Sequence, residues 1–245
     1  MAQATAKIRL FVDAPLGADA AVALDRDQAH YLFGVMREGV GGRVLVFNGQ
    51  DGEWLAEIAE AGKRGGVLAC GEMIRPQTYP PDLWLCFAPV KKSRTDFIAE
   101  KACEMGCARL LPVFTRYTNS ERVNVDRLRA HAVEAAEQCG MLSIPNVEEP
   151  IALGKLLDHW PPERQILFCD ETGSGPQARD LLTRADAGPW AVLTGPEGGF
   201  APEEAHRLRT MPQAHAVSLG PRILRADTAA VAALALWQAA LGDWR

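Results

Sequence analysis

From residue 83 onward the chain alternates between short apolar runs and longer amphipathic stretches, and this alternation constrains the fold more than any other feature. Strands that alternate with helices build a mostly parallel sheet, so this part of the sequence predicts an α/β domain. We expect strands at 83–88, 109–114, 165–169, 190–194 and 215–219. We expect helices near 94–106, 125–139, 177–185, 202–210 and 228–241.

Residues 1–75 follow a different pattern, in which short strands succeed one another with glycine-rich turns. Strands at 43–47 and 54–58 flank Asn48-Gly49-Gln50-Asp51-Gly52, which is typical of a hairpin. Apolar residues also alternate from Ile8 to Val12, another strand is expected at 67–74, and one short helix is expected from Gln28 to Met36. Such a series of short strands predicts a small β-barrel.

A proline-rich segment separates the two patterns. Three prolines fall within residues 76–81, and neither a strand nor a helix continues through them. The predicted organisation is therefore a β-barrel domain at 1–75, a linker at 76–82 and an α/β domain at 83–245.

The overall composition excludes several classes of protein. The net charge is −5 over 245 residues, which predicts no global attraction to nucleic acid. No segment approaches the roughly 20 apolar residues of a membrane span, and the N-terminus does not resemble a secretory signal. The six cysteines form no C-x-x-C pair, which favours a reducing cytoplasm and argues against a zinc site. We therefore expect a cytoplasmic protein without a metal or a membrane anchor.

Positive charge is concentrated in one segment. Residues 89–131 contain nine Lys or Arg against five acids, a local balance of +4. Lys91, Lys92 and Arg94 follow the first strand of the α/β domain, and Arg116 follows the next strand. The carboxyl ends of parallel strands are where α/β proteins bind ligands, so these cations favour a polyanion such as the RNA backbone. A solvated helix face remains the alternative explanation of the charge.

A glycine-rich loop joins the expected strand at 190–194 to a helix that begins at Pro202. The loop reads Gly195-Pro196-Glu197-Gly198-Gly199, and glycine lets a ligand approach the backbone closely. Glu203 and Glu204 occupy the first helical turn. Their negative charge compensates the positive end of the helix dipole, which would otherwise attract a phosphate. The loop is neither a P-loop nor a G-x-G-x-x-G motif. It predicts a ligand site that is not built for phosphate.

A second loop of the same kind follows the strand at 215–219. Arg222 and Arg225 flank Ile223 and Leu224, and Asp227 or Thr228 is expected to cap the last helix. Either loop alone is explained as well by an ordinary strand-to-helix turn. Together they predict a pocket with an apolar floor, backbone donors and a few polar groups, which suits a small cofactor with an aromatic ring and a charged tail.

The last helix is apolar on every face. It runs through alanines, leucines and Trp237 from Ala229 to Leu241. A soluble helix of this kind must be covered on all sides, and a terminal helix is easily shared between subunits. We therefore expect a homodimer, although burial within one domain would also satisfy the pattern.

The two loops and three further segments resemble a known family. GPEGGF at 195–200 and LGPRILRADTA at 219–229 closely resemble the knotted SPOUT-class RNA methyltransferases. More narrowly, they resemble the ribosomal RNA small-subunit methyltransferase E family, which methylates N3 of a uridine in 16S rRNA. The further matching segments are 30–37, 91–112 and 134–145, although Met141 stands where that family usually has Arg. The similarity spans nearly the whole chain.

This resemblance implies a PUA-like barrel followed by a SPOUT domain with a deep trefoil knot, a mostly parallel sheet and a dimer interface. It implies S-adenosyl-L-methionine as the cofactor and 16S rRNA of the small ribosomal subunit as the partner. The cofactor site would be lined by Thr194, Gly195, Glu197, Gly198, Leu219, Gly220, Ile223, Leu224 and Thr228. The RNA contacts expected are His30, Arg37, Lys91, Lys92, Arg94 and Arg116.

The implied chemistry gives two arginines a catalytic role. Deprotonating N3 of uridine creates negative charge on the base, and we expect Arg222 or Arg225 to stabilise it. Either arginine could instead bind only RNA phosphate or a carboxylate of a partner subunit. No general base is evident in the sequence. Two alternatives remain open, namely a SPOUT enzyme for tRNA or a ribose 2′-hydroxyl and an RNA-binding module without activity.

Overall fold

The computed structural model describes residues 6–173 and 175–244, which divide into two compact units. The N-terminal unit comprises residues 1–79 together with 136–143. The C-terminal unit comprises residues 80–135 and 144–245. Each is described by itself.

The N-terminal unit is built on a five-stranded sheet. Its strands are β1 (Arg9–Phe11), β2 (Ala21–Leu24), β3 (Arg43–Phe47), β4 (Glu53–Gly62) and β5 (Gly65–Arg75). The strand order is β1-β3-β4-β5-β2, and among these described strands only β1 and β3 pair in parallel. The hairpin expected around residues 48–52 is present, because Asn48 Oδ1 accepts the backbone N–H groups of Gln50 and Asp51. Strand β2 was not evident from the sequence.

The single helix expected from Gln28 to Met36 is divided into two kinds of helix. An α-helix, α1 (Arg26–Ala29), begins after Asp25, whose side chain accepts the N–H groups of Asp27 and Gln28. It continues as a π-helical segment, His30–Val35, which buries Leu32 in the core. The wider π turn is closed by a bond from the Met36 N–H to the Tyr31 carbonyl.

The C-terminal unit is a parallel α/β sheet, which confirms the predicted class. Its strands are β6 (Leu83–Phe87), β7 (Arg109–Phe114), β8 (Asn146–Val147), β9 (Ile151–Ala152), β10 (Gln165–Cys169), β11 (Trp190–Thr194) and β12 (Ala214–Val217). The order is β12-β10-β11-β6-β7-β8, with β9 also pairing with β7. Its helices are α2 (Lys92–Glu104), α3 (Val125–Cys139), α4 (Leu153–Asp158), α5 (Ala178–Leu182), α6 (Pro202–Thr210) and α7 (Ala226–Ala240), of which α3 extends into residues 136–139 of the N-terminal unit.

Helices pack on both faces of this sheet. Trp190, Leu167 and Leu85 point into a core that α2, α5 and α7 cover. Alternate residues of the same strands, including Phe168 and Leu193, point into a second core with Phe200 of the loop before α6. Burial on both faces explains why these strands are continuous apolar runs in the sequence.

The last helix differs from its expected start and is only partly covered. It begins at Ala226, and its N-cap is Arg225 rather than Asp227 or Thr228. The Asp227 side chain instead accepts the neighbouring Thr228 N–H and lies 3.7 Å from the Arg94 guanidinium. Trp237 is buried in the unit, whereas Val231 and Leu236 remain partly exposed in the single chain.

Candidate functional site

The carboxyl ends of four neighbouring strands lie at one edge of the C-terminal sheet. In the register, Phe168 of β10 pairs with Leu193 of β11, and Thr194 of β11 pairs with Phe87 of β6. Cys169 of β10 pairs with Val217 of β12. The loops that follow these strands therefore start side by side, which is where open parallel sheets bind ligands.

The loop after β11 has a backbone that requires glycine. A Cβ on Gly195 would lie 2.6 Å from Cε2 of Phe200, whose ring packs edge-on against Phe168. Gly199 has a φ of +71°, a conformation that other residues rarely adopt. The loop then enters α6, where Glu204 accepts the N–H of Ala201 at its own helix start and the N–H of Arg116. These contacts hold the loop in one shape.

A pocket of about 440 Å³ opens between the loops after β10, β11 and β12. We call it the loop pocket. Apolar atoms of Val217, Leu219 and Leu224 line it together with the small residues Gly195 and Gly220. Its size and mixed lining suit a small organic cofactor.

One residue that lines the loop pocket has a buried polar atom without a partner among the described residues. The Oγ1 atom of Thr194 is buried and forms no hydrogen bond with any described residue. A buried hydroxyl without a partner costs about 1–3 kcal/mol, so this atom favours a bound group that supplies the missing bond.

The wall after β10 is acidic. Asp170 is buried and accepts hydrogen bonds from Arg209 at 2.8 and 2.6 Å and from the Thr172 hydroxyl at 2.8 Å. Burial raises the pKa of Asp170, but these bonds outweigh it, so the pKa lies below its ordinary value and the group stays ionised. Glu171 lines the same wall and accepts the Phe200 N–H. Arg209 neutralises Asp170, so Glu171 is the carboxylate of this wall that favours a ligand with a positive group.

Cys169 also lines the loop pocket, but its thiol is unreactive. Burial raises the pKa of its thiol to about 12. The thiolate is the reactive form of cysteine, so this side chain contributes packing and not a nucleophile.

A second pocket, of about 710 Å³, is lined by four positively charged side chains. We call it the basic pocket. It is lined by Lys91, Lys92, Arg94 and Arg225, with one carboxylate, Glu197, and with Val90, Asn119 and Ser120. Four cations around one opening suit an anionic polymer such as RNA.

The two pockets are joined through both glycine loops. In the first loop, Gly195 and Pro196 line the loop pocket, whereas the next residue, Glu197, lines the basic pocket. In the second loop, residues 219–224 line the loop pocket, whereas Arg225 lines the basic pocket. Successive residues therefore face different pockets, so ligands bound in the two would be neighbours.

The structure brings together six of the nine residues expected at the cofactor site. Thr194, Gly195, Leu219, Gly220, Ile223 and Leu224 line the loop pocket. Glu197 lines the basic pocket. Gly198 lies beside Tyr117, and Thr228 is exposed in the first turn of α7. Of the two expected catalytic arginines, Arg222 lines the loop pocket and Arg225 the basic pocket.

The expected RNA contacts are less uniformly placed. Lys91, Lys92 and Arg94 share the basic pocket. Arg116 is exposed and lines neither pocket. His30 and Arg37 are exposed residues of the N-terminal unit, and Arg37 has a φ of 59°, which is unusual for a residue with a side chain.

Sequence reasoning missed the third side of the loop pocket. Cys169 to Gly173 and Gln177 line it from the loop after β10. A signal existed, because Asp170-Glu171-Thr172-Gly173 follows an apolar strand just as the other two loops do. The strand order that places β10 between β11 and β12 could not be read from local patterns.

The described residues contain no helix long and apolar enough to cross a membrane. Within the same part of the chain, no three His, Cys, Asp or Glu side chains are grouped as metal ligands.

Comparison with known families defines the class of protein. Residues 77–238 match the RNA methyltransferase domain family, and residues 24–68 match the RNA methyltransferase PUA domain family. A protein named ribosomal RNA small subunit methyltransferase E from Synechocystis is 31% identical over 89% of this chain and 72% of its own length. The protein of the same name from Rickettsia conorii is 29% identical over 93% of both chains. The chain belongs to the ribosomal RNA small subunit methyltransferase E family.

Solved structures share the fold of this chain. A Legionella pneumophila protein solved with the bound cofactor S-adenosylmethionine has a TM-score of 0.88 and 26% identity, covering 98% of this chain and 100% of that one. Ribosomal RNA small subunit methyltransferase E from Neisseria gonorrhoeae, also bound to S-adenosylmethionine, has a TM-score of 0.85, 24% identity and coverage of 97% and 99%. The latter likeness establishes the fold.

Proposed function

We propose that this protein transfers a methyl group from S-adenosylmethionine to N3 of a uridine in 16S rRNA of the small ribosomal subunit. The observation that carries the proposal is the pair of glycine loops, each of which lines both the loop pocket and the basic pocket. A methyl donor in the first pocket and an RNA base in the second would be adjacent. Membership of the family supports the substrate class.

The residues of the loop pocket fit the cofactor. S-adenosylmethionine supplies a methyl carbon made electrophilic by a positive sulfonium, and it also carries an ammonium, a carboxylate and an adenine ring. Leu219 and Leu224 offer apolar surface to the ring, and Glu171 offers negative charge. Arg222 is available for the carboxylate, and the unpartnered Thr194 hydroxyl offers one hydrogen bond.

The target base has to leave its stack and its pairing before it can react. N3 of uridine lies on the Watson–Crick edge, so an unpaired or flipped base must enter the basic pocket. Loss of the N3 proton places negative charge on the uracil oxygens. Arg225 lines this pocket and is the better placed of the two expected catalytic arginines to stabilise that charge.

The remaining cations serve RNA binding in this proposal. Lys91, Lys92 and Arg94 neutralise backbone phosphate at the basic pocket, and the exposed Arg116 after β7 adds a further contact. His30 and Arg37 of the N-terminal unit contribute further contacts, which is consistent with its match to a PUA domain family. Affinity should therefore fall with added salt.

The proposal extends to assembly and topology. We place RNA recognition in residues 1–75 and catalysis in residues 83–245, joined by a linker at 76–82. The partly exposed Val231 and Leu236 on α7 support a homodimer that covers this helix. The resemblance to SPOUT enzymes supports a trefoil knot in the catalytic domain. The six cysteines, five of them buried, are consistent with a cytoplasmic enzyme.

Methylation of ribosomal RNA tests this function. The purified protein and labelled S-adenosylmethionine are incubated with small subunits, or with their naked 16S rRNA, from a strain that lacks the corresponding enzyme. We expect 3-methyluridine as the product after nuclease digestion and mass spectrometry. Methylated ribose or methylated tRNA in a parallel reaction would contradict the proposed target, and no product with any RNA would contradict the activity.

A further inference from the structure

The basic pocket contains one group that its positive charge does not explain. Four cations line it, and among the described residues that line it Glu197 is the only carboxylate. A carboxylate repels phosphate, so a pocket that served only the RNA backbone would not include one. Glu197 therefore indicates a ligand with a hydrogen-bond donor at that point.

Glu197 differs from the other acids near its loop. Glu204 accepts the N–H groups of Ala201 and Arg116, and Glu171 accepts the N–H of Phe200. Those two carboxylates hold backbone in place. Among the described residues, the Glu197 side chain forms no hydrogen bond or ion pair, and the residue is exposed. Its acceptor oxygens are free for a ligand.

The basic pocket is lined by both kinds of group, donors and an acceptor, that the edge of uracil requires. That edge presents the O2 acceptor, the N3–H donor and the O4 acceptor in a row. Its complement is one acceptor flanked by donors. Lysine and arginine side chains are donors only, and an ionised glutamate is an acceptor only, so Glu197 among these cations supplies this complement.

We propose that Glu197 is the catalytic residue that accepts the N3 proton of the target uridine. This inference rests on the proposed methyltransferase function and extends it. The N3–H bond breaks as the proton passes to a carboxylate oxygen of Glu197, and the electron pair left on N3 forms the bond to the methyl carbon. The bond from that carbon to sulfur breaks, its electrons remain on sulfur, and Glu197 then releases the proton to water.

The same arrangement selects uracil over cytosine. Cytosine presents an unprotonated N3 and an amino group, so Glu197 would face a lone pair and the cations would face a donor. An unmatched polar pair in a recognition site typically discriminates by a large factor, because the groups of the site are left without partners. In this proposal Glu197 both selects uracil and accepts its N3 proton.

The isosteric variant Glu197→Gln tests this role, with Glu203→Gln as the matched control. Glu203 is exposed in the first turn of α6 and lines neither pocket. At saturating RNA we expect kcat of Glu197→Gln to fall by roughly 100-fold or more, which is the usual contribution of a general base. We expect the control to keep wild-type kcat. Glu197→Asp should recover part of the lost rate.

Two further readouts separate proton removal from a role in binding. The affinity for S-adenosylmethionine, measured by calorimetry, should stay unchanged in Glu197→Gln. Its rate should rise more steeply with pH than the wild-type rate, because hydroxide must then remove the proton. Wild-type kcat in Glu197→Gln, or a loss confined to cofactor affinity, would overturn the proposal. An inactive wild-type protein would instead contradict the proposed function itself.

Discussion

Two buried polar side chains, one in each unit, differ in whether the protein supplies a partner. In the N-terminal unit, the buried carboxylate of Glu53 pairs with Arg9 at 2.7 Å and Arg75 at 2.8 Å. Those guanidiniums also donate to backbone carbonyls of residues 136–141. In the C-terminal unit, the buried Thr194 hydroxyl has no partner among the described residues. The Glu53 ion pairs stabilise the fold, whereas the unpartnered Thr194 hydroxyl indicates ligand binding.

We therefore expect substitution of Glu53 to change mainly stability and substitution of Thr194 to change mainly ligand binding. Burial raises the pKa of Glu53, but hydrogen bonds from Arg75 and Arg9 outweigh it and lower the pKa overall. Such a cluster is destabilised strongly by loss of one member, because a buried charge is left behind. Loss of a polar atom that has no partner should instead affect only what binds there.

The largest effect is expected from Glu53→Ala. Arg9, whose side chain is 12% exposed, would lose its carboxylate partner, so the free energy of unfolding should fall by about 3–5 kcal/mol. Urea unfolding measures this change. Glu57→Ala, an exposed position on the same strand, is the control and should change stability little. A loss below about 1 kcal/mol for Glu53→Ala would refute the structural role of the cluster.

The next largest effects should distinguish the two arginines. Arg222 lines the loop pocket and Arg225 the basic pocket. Arg222→Ala should weaken S-adenosylmethionine binding by roughly 10- to 100-fold, since bonds to charged groups contribute about 1.5–3 kcal/mol. Arg225→Ala should leave that affinity unchanged and lower kcat on RNA. Calorimetry and turnover assays on both variants measure this, and identical profiles would contradict the division into two pockets.

A smaller effect is expected from Thr194→Val. The change removes a hydroxyl without a protein partner, so stability should be unchanged or slightly higher. Affinity for S-adenosylmethionine should fall about 2- to 12-fold, equivalent to the 0.5–1.5 kcal/mol of one hydrogen bond.

Thr95→Val provides the matched control for that variant. The Thr95 hydroxyl is also buried, but it bonds both the N–H and the carbonyl of Val90 at 3.0 Å. This variant should lose about 1 kcal/mol or more of stability. Equal destabilisation by the two substitutions would show that Thr194 is satisfied within the protein.

The smallest effect is expected on stability at low pH. The pKa of Asp170 lies below its ordinary value of about 3.9, so the group stabilises the fold above that pH and loses this contribution as the pH falls through its own pKa. Unfolding free energy should therefore decline below about pH 4. Asp170→Asn should flatten that decline, and Thr194→Val, which removes no titrating group, should not. An unchanged slope in Asp170→Asn would show that Asp170 is not stabilised by its partners.

The sequence predicted most of the sheet because burial on both faces imposes continuous apolar runs. Strands at 109–114, 165–169 and 190–194 match the structure to the residue. Short elements such as β2 and α4 were missed, because four to six residues carry too little periodicity. The π-helical segment after α1 also follows from tertiary packing and has no local pattern.

The candidate site was predicted where local chain geometry decides it. The two glycine loops were evident because each lies between a strand and a helix. The separation of Glu197 and Arg225 from their loop neighbours was not evident, since it depends on which way consecutive side chains face. The wall formed by Asp170 and Glu171 required the strand order, which brings residues distant in sequence together.

A calorimetric titration with S-adenosylmethionine tests the central claim, that the loop pocket is the cofactor site, most directly. ATP and NAD serve as controls, because the acidic wall and the acids at the start of α6 disfavour phosphate. We predict saturable binding of S-adenosylmethionine alone, weakened in Arg222→Ala and Thr194→Val. Absence of binding to the folded protein would contradict the account. So would an affinity for S-adenosylmethionine in both variants equal to that of the wild-type protein.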